Sequence, residues 1–196
     1  MPRPKQRTPQ LRDHVLSVAL QLLATDGVAK FTTRSVAQQS HTSTPAIYEL
    51  FGDKSGLIRE MFFEGFRMLR RQLDATSQTD DPRADLIQLV GLYRSFLRQN
   101  PVLAEVMFSR PFSDFQPSAS ELQAGSSVRT LIVARVSRCI DAGVLHGNDT
   151  DIAHVLVALV QGLGAADTAR RLGSSRASVE RRWALAIDAV LDGLRP

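Results

Sequence analysis

Only one cysteine, Cys139, is present among the 196 residues. A single thiol cannot form an intramolecular disulfide or a cysteine-based zinc cluster, so the composition does not require an oxidising compartment. Long hydrophobic runs are also lacking, because the longest apolar stretch, residues 155–160, is far shorter than the roughly 20 residues that span a bilayer. No apolar segment typical of a signal peptide follows the basic N-terminus. We therefore expect a cytoplasmic protein without a membrane partner.

The sequence also lacks the short motifs of common enzyme classes. It has no G-x-S-x-G nucleophile elbow, no Walker loop and no dinucleotide-binding glycine pattern. No two histidines have a metal-ligand spacing such as H-E-x-x-H. Cys139 lies among apolar residues near Arg135 and Arg138, which leaves either a redox sensor or a buried, inert thiol. We expect no enzymatic activity, no metal site and no cofactor.

Excess charge is confined to the N-terminal third of the chain. The net charge is +4, and residues 1–75 hold 11 Lys and Arg against 7 Asp and Glu, whereas residues 76–196 hold 13 of each class. A basic end on a neutral body suggests a polyanionic partner, for which phosphate is the obvious candidate. The alternative is that the basic, flexible arm of residues 1–8 serves only solubility.

Helical periodicity is found along nearly the whole chain, and no segment shows convincing strand alternation. The pattern predicts an all-α protein of about nine helices, in which Asp26 and Gly27 end the first helix. Residues 74–82 are polar and are typical of a linker. We expect a helical head at residues 9–73 and a helical-bundle body at residues 74–196.

Residues 27–57 carry the most informative pattern. Thr32 is a good N-cap for one short helix. Ser43 can cap the next, with Pro45 in its first turn, where a missing N–H costs no intrahelical hydrogen bond. This second helix has only about two turns and is not stable alone. Neighbouring helices must hold it, which would leave its polar side exposed.

The exposed side of that short helix suits the major groove of DNA. Its residues are small or polar and could enter a groove roughly 12 Å wide. They are Thr44, Pro45, Ala46 and Glu49. Thr32 would offer a hydroxyl and free N–H groups to a phosphate, and Tyr48 and Lys54 suit phosphate contacts on either side. The alternative is that residues 27–57 are purely structural helices of a bundle.

This segment resembles the TetR family of bacterial helix-turn-helix regulators over about residues 9–68. The matching positions are Thr32, Val36, Ala37, Ser43, Ile47, Tyr48, Phe51, Lys54 and Leu57. The resemblance implies a helix-turn-helix motif at about residues 32–51, inside a three-helix DNA-binding head. Two positions depart from the family pattern, since His41 replaces the usual turn glycine and Thr42 the usual buried valine. His tolerates positive φ better than most residues, and the Thr42 hydroxyl would need a partner.

The resemblance also implies roles for individual side chains. Thr32, Thr44, Tyr48 and Lys54 become contacts to the DNA backbone. Arg34, Pro45, Ala46 and Glu49 become candidates for base or groove contact. The complete predicted DNA-binding set is Thr32, Thr33, Arg34, Ser43, Thr44, Pro45, Ala46, Tyr48, Glu49 and Lys54.

The body is weakly similar to the C-terminal domain of one TetR subgroup, the WHG type. The similar stretches are residues 93–96, 100–101, 107–108 and 143–145. Val157 and Gln161 replace the Trp and His that this subgroup usually has in its eighth helix. An apolar cavity around residues 110–120 would suit a small hydrophobic effector. Its predicted lining is Tyr93, Phe96, Met107, Phe108, Phe112 and Gln161, although aromatic residues at helical spacing are also typical of plain core.

The last two predicted helices, at about 149–172 and 175–193, carry wide apolar faces. Two such helices from each subunit can form a twofold-symmetric four-helix interface. The predicted interface residues are Leu156, Leu159, Leu163, Trp183, Ile187 and Val190. The alternative is that these residues belong to the core of one subunit. A dimer would place two heads about one DNA turn (~34 Å) apart on a palindromic operator.

These observations together predict a TetR-type transcriptional regulator. We expect a homodimeric repressor that a small, largely hydrophobic effector releases from its palindromic operator in double-stranded DNA. The rival hypotheses are an enzyme and a protein that binds only other proteins through its body.

Overall fold

A computed structural model describes residues 8–108 and 119–196 of the chain. Most of the predicted basic arm therefore lies outside the described residues, as does Phe112 of the predicted effector pocket. Within the two described ranges the chain forms nine α-helices and no strand. This confirms the predicted all-α fold.

Four helices precede residue 75, and five follow it. The first four are α1 (Pro9–Lys30), α2 (Thr33–Gln39), α3 (Thr44–Phe51) and α4 (Lys54–Asp74). The others are α5 (Pro82–Gln99), α6 (Pro101–Phe108), α7 (Ala119–Asp141), α8 (Asp149–Thr168) and α9 (Arg176–Gly193). Gly27, with φ 72° and ψ 173°, interrupts α1 at the predicted end of the first regular helix.

The described chain divides into two compact units. The first unit contains α1, α2, α3, the part of α4 up to Gly65, and α6. The second unit contains the rest of α4, α5, α7, α8 and α9. The compact units therefore differ from the predicted division at residue 74, because α6 packs against α1.

The core of the first unit is built from one apolar side of each helix. On α1, the buried residues are Val15, Leu16, Val18, Ala19, Leu22 and Leu23. The following helices and turns contribute Phe31, Val36, Ala37, Ile47, Phe51, Leu57 and Met61. This spacing buries one stripe of each helix and leaves the polar stripe to solvent.

Helices α4 and α6 approach each other closely at Gly65. A Cβ atom placed on Gly65 would lie 2.5 Å from Met107 Sδ and 2.9 Å from Met107 Cγ. Leu103 Cδ1 would be 3.3 Å away. The missing side chain at residue 65 therefore permits this contact.

Gly65→Ala is expected to destabilise the protein by about 1–2 kcal/mol, because overpacking of the contact with Met107 outweighs the gain in helix propensity. Gly91→Ala is the matched control, since Gly91 lies on α5 with open space around it. That control is expected to stabilise by about 0.5–1 kcal/mol through better helix propensity. Urea unfolding measures both, and shifts of the same sign would contradict the close packing.

The second unit is a bundle in which α5, α7 and α8 pack on one another and α9 packs on α8. The residues at its centre are buried and apolar. From α5 and α7 they are Leu86, Leu89, Val90, Phe96, Leu97, Val128, Ile132 and Val136. From α8 and α9 they are Ile152, Leu156, Val160, Trp183, Ile187 and Leu191.

The polar segment that joins α4 to α5 is held in place by charged side chains. The buried Asp85 carboxylate accepts hydrogen bonds from Thr79 N and Thr79 Oγ1, both at 2.8 Å, and from Arg138 Nη1 at 2.5 Å. Arg135 Nη2 donates to Thr76 O at 3.3 Å, and Thr76 itself is buried. The predicted linker is therefore tied to α5 and α7.

The hydrogen bond from Arg138, followed by those from Thr79, holds the pKa of Asp85 below its usual value of 3.8. A depressed folded-state pKa stabilises the fold at any pH above the unfolded value of about 3.9, and this stabilisation is lost as pH falls through the folded value. Asp85→Asn should therefore flatten the fall of the urea midpoint between about pH 5 and pH 2. Asp141→Asn, an exposed acid at the end of α7, is the control and should follow the wild-type curve.

Candidate DNA-binding site

The turn between α2 and α3 has a Schellman-type geometry. His41 N donates to Gln38 O at 3.3 Å, and Thr42 N donates to Ala37 O at 3.0 Å. His41 has φ 52°, which is the left-handed conformation usually taken by glycine. The expectation that His41 adopts positive φ is confirmed. Thr42 is half-buried, so water reaches it.

Both predicted N-caps are present. Thr32 Oγ1 accepts from Ser35 N at 3.1 Å, and Ser35 Oγ accepts in return from Thr32 N at 3.3 Å, which completes a capping box. Ser43 Oγ accepts from Ala46 N at 3.3 Å, with Pro45 in the first turn of α3. These caps satisfy N–H groups that would otherwise lack partners at the start of two short helices.

Helix α3 is held by its apolar side. Ile47 is fully buried and Phe51 is 8% exposed, so the two residues fix the helix on the core of the first unit. The opposite side faces solvent, with Pro45 and Glu49 exposed and Tyr48 45% exposed. A large aromatic side chain on the surface of a two-turn helix is suited to contact with another molecule.

Tyr48 also links the two helices of the motif. Its hydroxyl lies 3.3 Å from Thr33 Oγ1, so the phenol is placed beside the start of α2. The start of a helix presents free backbone N–H groups, which attract anions such as phosphate. Thr33 and Tyr48 are therefore brought together on one polar surface.

Lys54 begins α4 and is exposed, with its Nζ 6.0 Å from the centre of the Phe31 ring. Asp53 Oδ1 accepts from Gly56 N at 2.7 Å and caps the same helix. A cation–π contact of this kind restrains the lysine without neutralising its charge.

The structure leaves the whole predicted DNA-binding set accessible. The exposed members are Thr32, Arg34, Ser43, Pro45, Tyr48, Glu49 and Lys54, and the half-buried members are Thr33, Thr44 and Ala46. None of them is buried, so each can reach another molecule, which the predicted DNA contacts require.

Arg12 has a structural role that the count of charged residues did not reveal. Its Nη2 lies 2.8 Å from Glu60 Oε1, and its guanidinium lies 5.1 Å from the centre of the Phe51 ring. This arginine therefore braces α3 against α1, and its charge is already paired. A basic residue at the start of α1 gave no sequence signal for such a role.

Family models match both parts of the chain. The model for bacterial regulatory proteins of the tetR family matches residues 15–61, and the model for the tetracyclin repressor-like C-terminal domain matches residues 86–190. The chain belongs to the TetR family.

Solved structures agree with this fold. A protein of unknown function from Rhodococcus sp. RHA1 is 25% identical, with a TM-score of 0.83 and 100% coverage of both chains. A TetR family regulatory protein from Rhodococcus RHA1 is 18% identical, with a TM-score of 0.71 over 96% of this chain and 98% of that one. A structure concerned with the control of antibiotic production by bacterial hormones is 20% identical, with a TM-score of 0.72 over 97% and 100%. No curated protein matches the sequence.

Two of the predicted effector residues of this TetR family member, Tyr93 and Gln161, are in direct contact. Gln161 Nε2 donates to Tyr93 Oη at 3.0 Å, and burial raises the pKa of Tyr93 to about 12. Phe96 is buried in the same unit, whereas Met107 and Phe108 belong to α6 in the first unit. Phe112 lies outside the described residues.

A small apolar cavity lies beside Tyr93 in the second unit. It is lined by Leu86, Leu89, Val90, Tyr93, Ile132, Leu156, Val157 and Val160. Its volume of about 10 Å³ holds roughly one water molecule. Ligand pockets in proteins usually have about 300–1,000 Å³, so this cavity is too small for an effector in the described conformation.

The predicted dimer residues divide into two groups. Leu156, Trp183 and Ile187 are 2–5% exposed and lie in the core of the chain itself. Leu159, Leu163 and Val190 are half-buried. The large apolar residues that are most exposed on α8 and α9 were not among the predicted interface residues; they are Val155 at 52% and Leu185 at 69%. A helical-wheel projection with Leu156 and Trp183 on the inward side would have placed Val155 and Leu185 on the outward side.

The described residues contain no cluster of three or more His, Cys, Asp or Glu side chains that could hold a metal ion. Among the helices of residues 8–108 and 119–196, none combines the length and hydropathy needed to cross a membrane. Cys139 is buried, its Sγ donates to Pro82 O at 3.2 Å, and burial raises its thiol pKa.

His41→Gly is expected to stabilise the protein by about 0.5–1 kcal/mol, because glycine adopts the left-handed conformation of this turn without a Cβ penalty. His41→Val should destabilise it, since a β-branched residue at positive φ is a conformational outlier. Thermal unfolding followed by circular dichroism measures both. Two shifts of the same sign would contradict the backbone assigned to the turn.

Proposed function

We propose that this TetR family protein is a cytoplasmic transcriptional repressor that binds a palindromic operator as a homodimer and leaves it when a small, largely hydrophobic effector binds. The observation that carries the proposal is the geometry of α3. Ile47 and Phe51 hold a two-turn helix whose opposite, polar side is exposed on a chain of this family.

The exposed residues separate into two chemical roles. Thr32, Tyr48 and Lys54 carry hydroxyl or ammonium groups at helix starts, where phosphate contacts fix the register of a protein on the duplex. Pro45 and Glu49 project from α3, where small or hydrogen-bonding groups read base edges in the major groove. We expect the first group to set affinity and the second to set sequence preference.

Dimerisation would supply a second recognition helix one DNA turn away. Exposed Val155 and Leu185 favour an interface on α8 and α9, because large apolar side chains are costly to leave in water. Small exposed residues on α8 would allow a second helix to approach closely. They are Ala158, Gly162 and Ala165.

Effector release would require the second unit to change shape. The cavity beside Tyr93 must open from about 10 Å³ to a pocket of several hundred Å³ before a small molecule can enter. The Tyr93–Gln161 hydrogen bond supplies a polar pair at its wall. One structural neighbour concerns control by a bacterial hormone, which fits a small-molecule effector. An effector that binds only the opened form would shift the population away from the DNA-binding one.

The test compares two pairs of variants in the binding of short duplexes. Tyr48→Phe and Lys54→Ala should weaken binding to every sequence, each by about 1 kcal/mol or more, because they remove phosphate contacts. Pro45→Ala and Glu49→Ala should instead change which duplexes are selected from a random pool, since base contacts carry about 1–3 kcal/mol of discrimination.

Arg129→Gln, an exposed change on α7, is the control and should behave as wild type. If all four variants change affinity and selectivity alike, the assignment of roles is wrong. If the wild-type protein binds no duplex even at low salt, the proposed function itself is wrong, and a protein that binds only other proteins becomes the better hypothesis. We propose no catalytic activity, cofactor or metal.

A further inference from the structure

The neutral total of residues 76–196 conceals an uneven distribution of charge in the second unit. Seven arginines and two acids come together where α8 ends, α9 begins and α5 passes beside them. They are Arg94, Arg98, Arg170, Arg171, Arg176, Arg181 and Arg182, with Asp167 and Glu180. We call this set the basic end.

Most of the other acids of the same unit lie at the other end of α8, where they outnumber the arginines Arg83, Arg138 and Arg195 that pair with some of them. These acids occupy the α4–α5 connection, the α7–α8 connection and the last turns of α9. They are Asp80, Asp81, Asp85, Asp141, Asp149, Asp151, Asp188 and Asp192. Because α8 has 20 residues, about 30 Å of helix separates the two connections that it joins.

The two acids of the basic end are already neutralised. Arg94 Nη1 and Nη2 donate to Glu180 Oε2 and Oε1 at 2.6 and 3.1 Å, and Arg94 Nη2 lies 3.5 Å from Asp167 Oδ2. Arg98 Nη1 approaches Glu180 Oε1 at 3.9 Å. Arg94 also stacks on Trp183, with its guanidinium carbon 4.5 Å from the ring centre. Arg94, which is largely covered, therefore contacts both carboxylates, and Arg98 supplies the second positive charge that balances them.

The remaining arginines keep their charge exposed. Arg170, Arg171, Arg176 and Arg181 are all exposed, and none of them makes an ion pair within 4 Å in the part of the chain that the structure describes. Arg182 donates to Leu172 O and so fixes the turn between α8 and α9. The basic end thus presents at least four positive charges without an ion pair among the described residues, two on the turn after α8 and two on α9.

The backbone at this turn favours glycine, yet it carries arginine. Arg170 has φ 56°, and the N–H groups of Arg170 and Arg171 donate to Asp167 O and Ala166 O in a Schellman motif. One cation complements the half-unit of negative charge at the end of a helix. One arginine would be enough to complement the end of α8, so this role does not explain the other arginines of the basic end.

We propose that the basic end is a second contact surface for duplex DNA, which binds phosphates without reading sequence. This inference rests on the proposed function. Guanidinium groups match phosphate oxygens in a bidentate fork, and every basic residue of this end is arginine. DNA presents one negative charge per roughly 1.7 Å of helix axis, which suits several fixed arginines better than a single anion does.

The test removes two exposed arginines at a time from the full-length protein. Arg170→Gln with Arg171→Gln, and Arg176→Gln with Arg181→Gln, are compared with the control pair Arg129→Gln and Arg195→Gln, exposed arginines outside the basic end. The affinity for a duplex without operator sequence is measured between about 50 and 300 mM KCl. Removing an arginine that neutralises a phosphate should reduce the magnitude of the slope of log affinity against log salt concentration by about 0.9. At 0.1 M salt this corresponds to an affinity about eightfold lower.

The outcomes separate this inference from the proposed function. A smaller slope in both basic-end variants, with the control pair at the wild-type slope, supports a second DNA contact. If the wild type binds DNA and Lys54→Ala weakens it, but the basic-end variants match the control pair, the inference is overturned and the function stands. The inference also fails if these variants bind DNA normally but no longer bind vesicles of anionic lipid. No DNA binding by the wild type would overturn the proposed function instead.

Discussion

The burial of Ile47 and Phe51 is the interaction on which the functional geometry depends. A two-turn helix cannot persist in water, because forming its first turn costs more than so few hydrogen bonds return. Burying these two side chains contributes roughly 1.5–3 kcal/mol each and fixes which side of α3 faces outward. The Arg12 guanidinium, packed over Phe51 and paired with Glu60, covers the same contact from α1. The exposure of Tyr48 and Glu49 is the geometric consequence.

Features fixed by local chemistry were predictable from the sequence. The caps at Thr32 and Ser43, the break at Gly27 and the positive φ of His41 each depend on residues within about four positions along the chain. For the same reason the candidate DNA-binding residues came out accessible. Their pattern combines two caps, one tight turn and a two-residue apolar side, and few other structures satisfy all of these at once.

Features that depend on which helices meet were not predictable. Helix α8 is apolar on more than one side, so its sequence does not say which side faces the core, and Leu156 proved internal while Val155 proved exposed. The assignment of α6 to the first unit follows its packing against α1, and a missing side chain at Gly65 admits Met107. No periodicity of α4 or α6 encodes that contact. The closed cavity beside Tyr93 likewise reflects side-chain packing that composition cannot predict.

The distribution of charge over the fold was also not predictable from the sequence. Summed along the chain, residues 76–196 are neutral, and a neutral segment predicts no polyanion partner. Folding leaves an excess of arginines at one end of α8 and an excess of acids at the other, about 30 Å away, whereas the Debye length in 0.1 M salt is about 10 Å. The two ends of the unit therefore act on their surroundings as independent charges. The arginines of the basic end are balanced by acids elsewhere in residues 76–196. Because most of those acids lie about 30 Å away, a phosphate near the basic end meets a net positive charge.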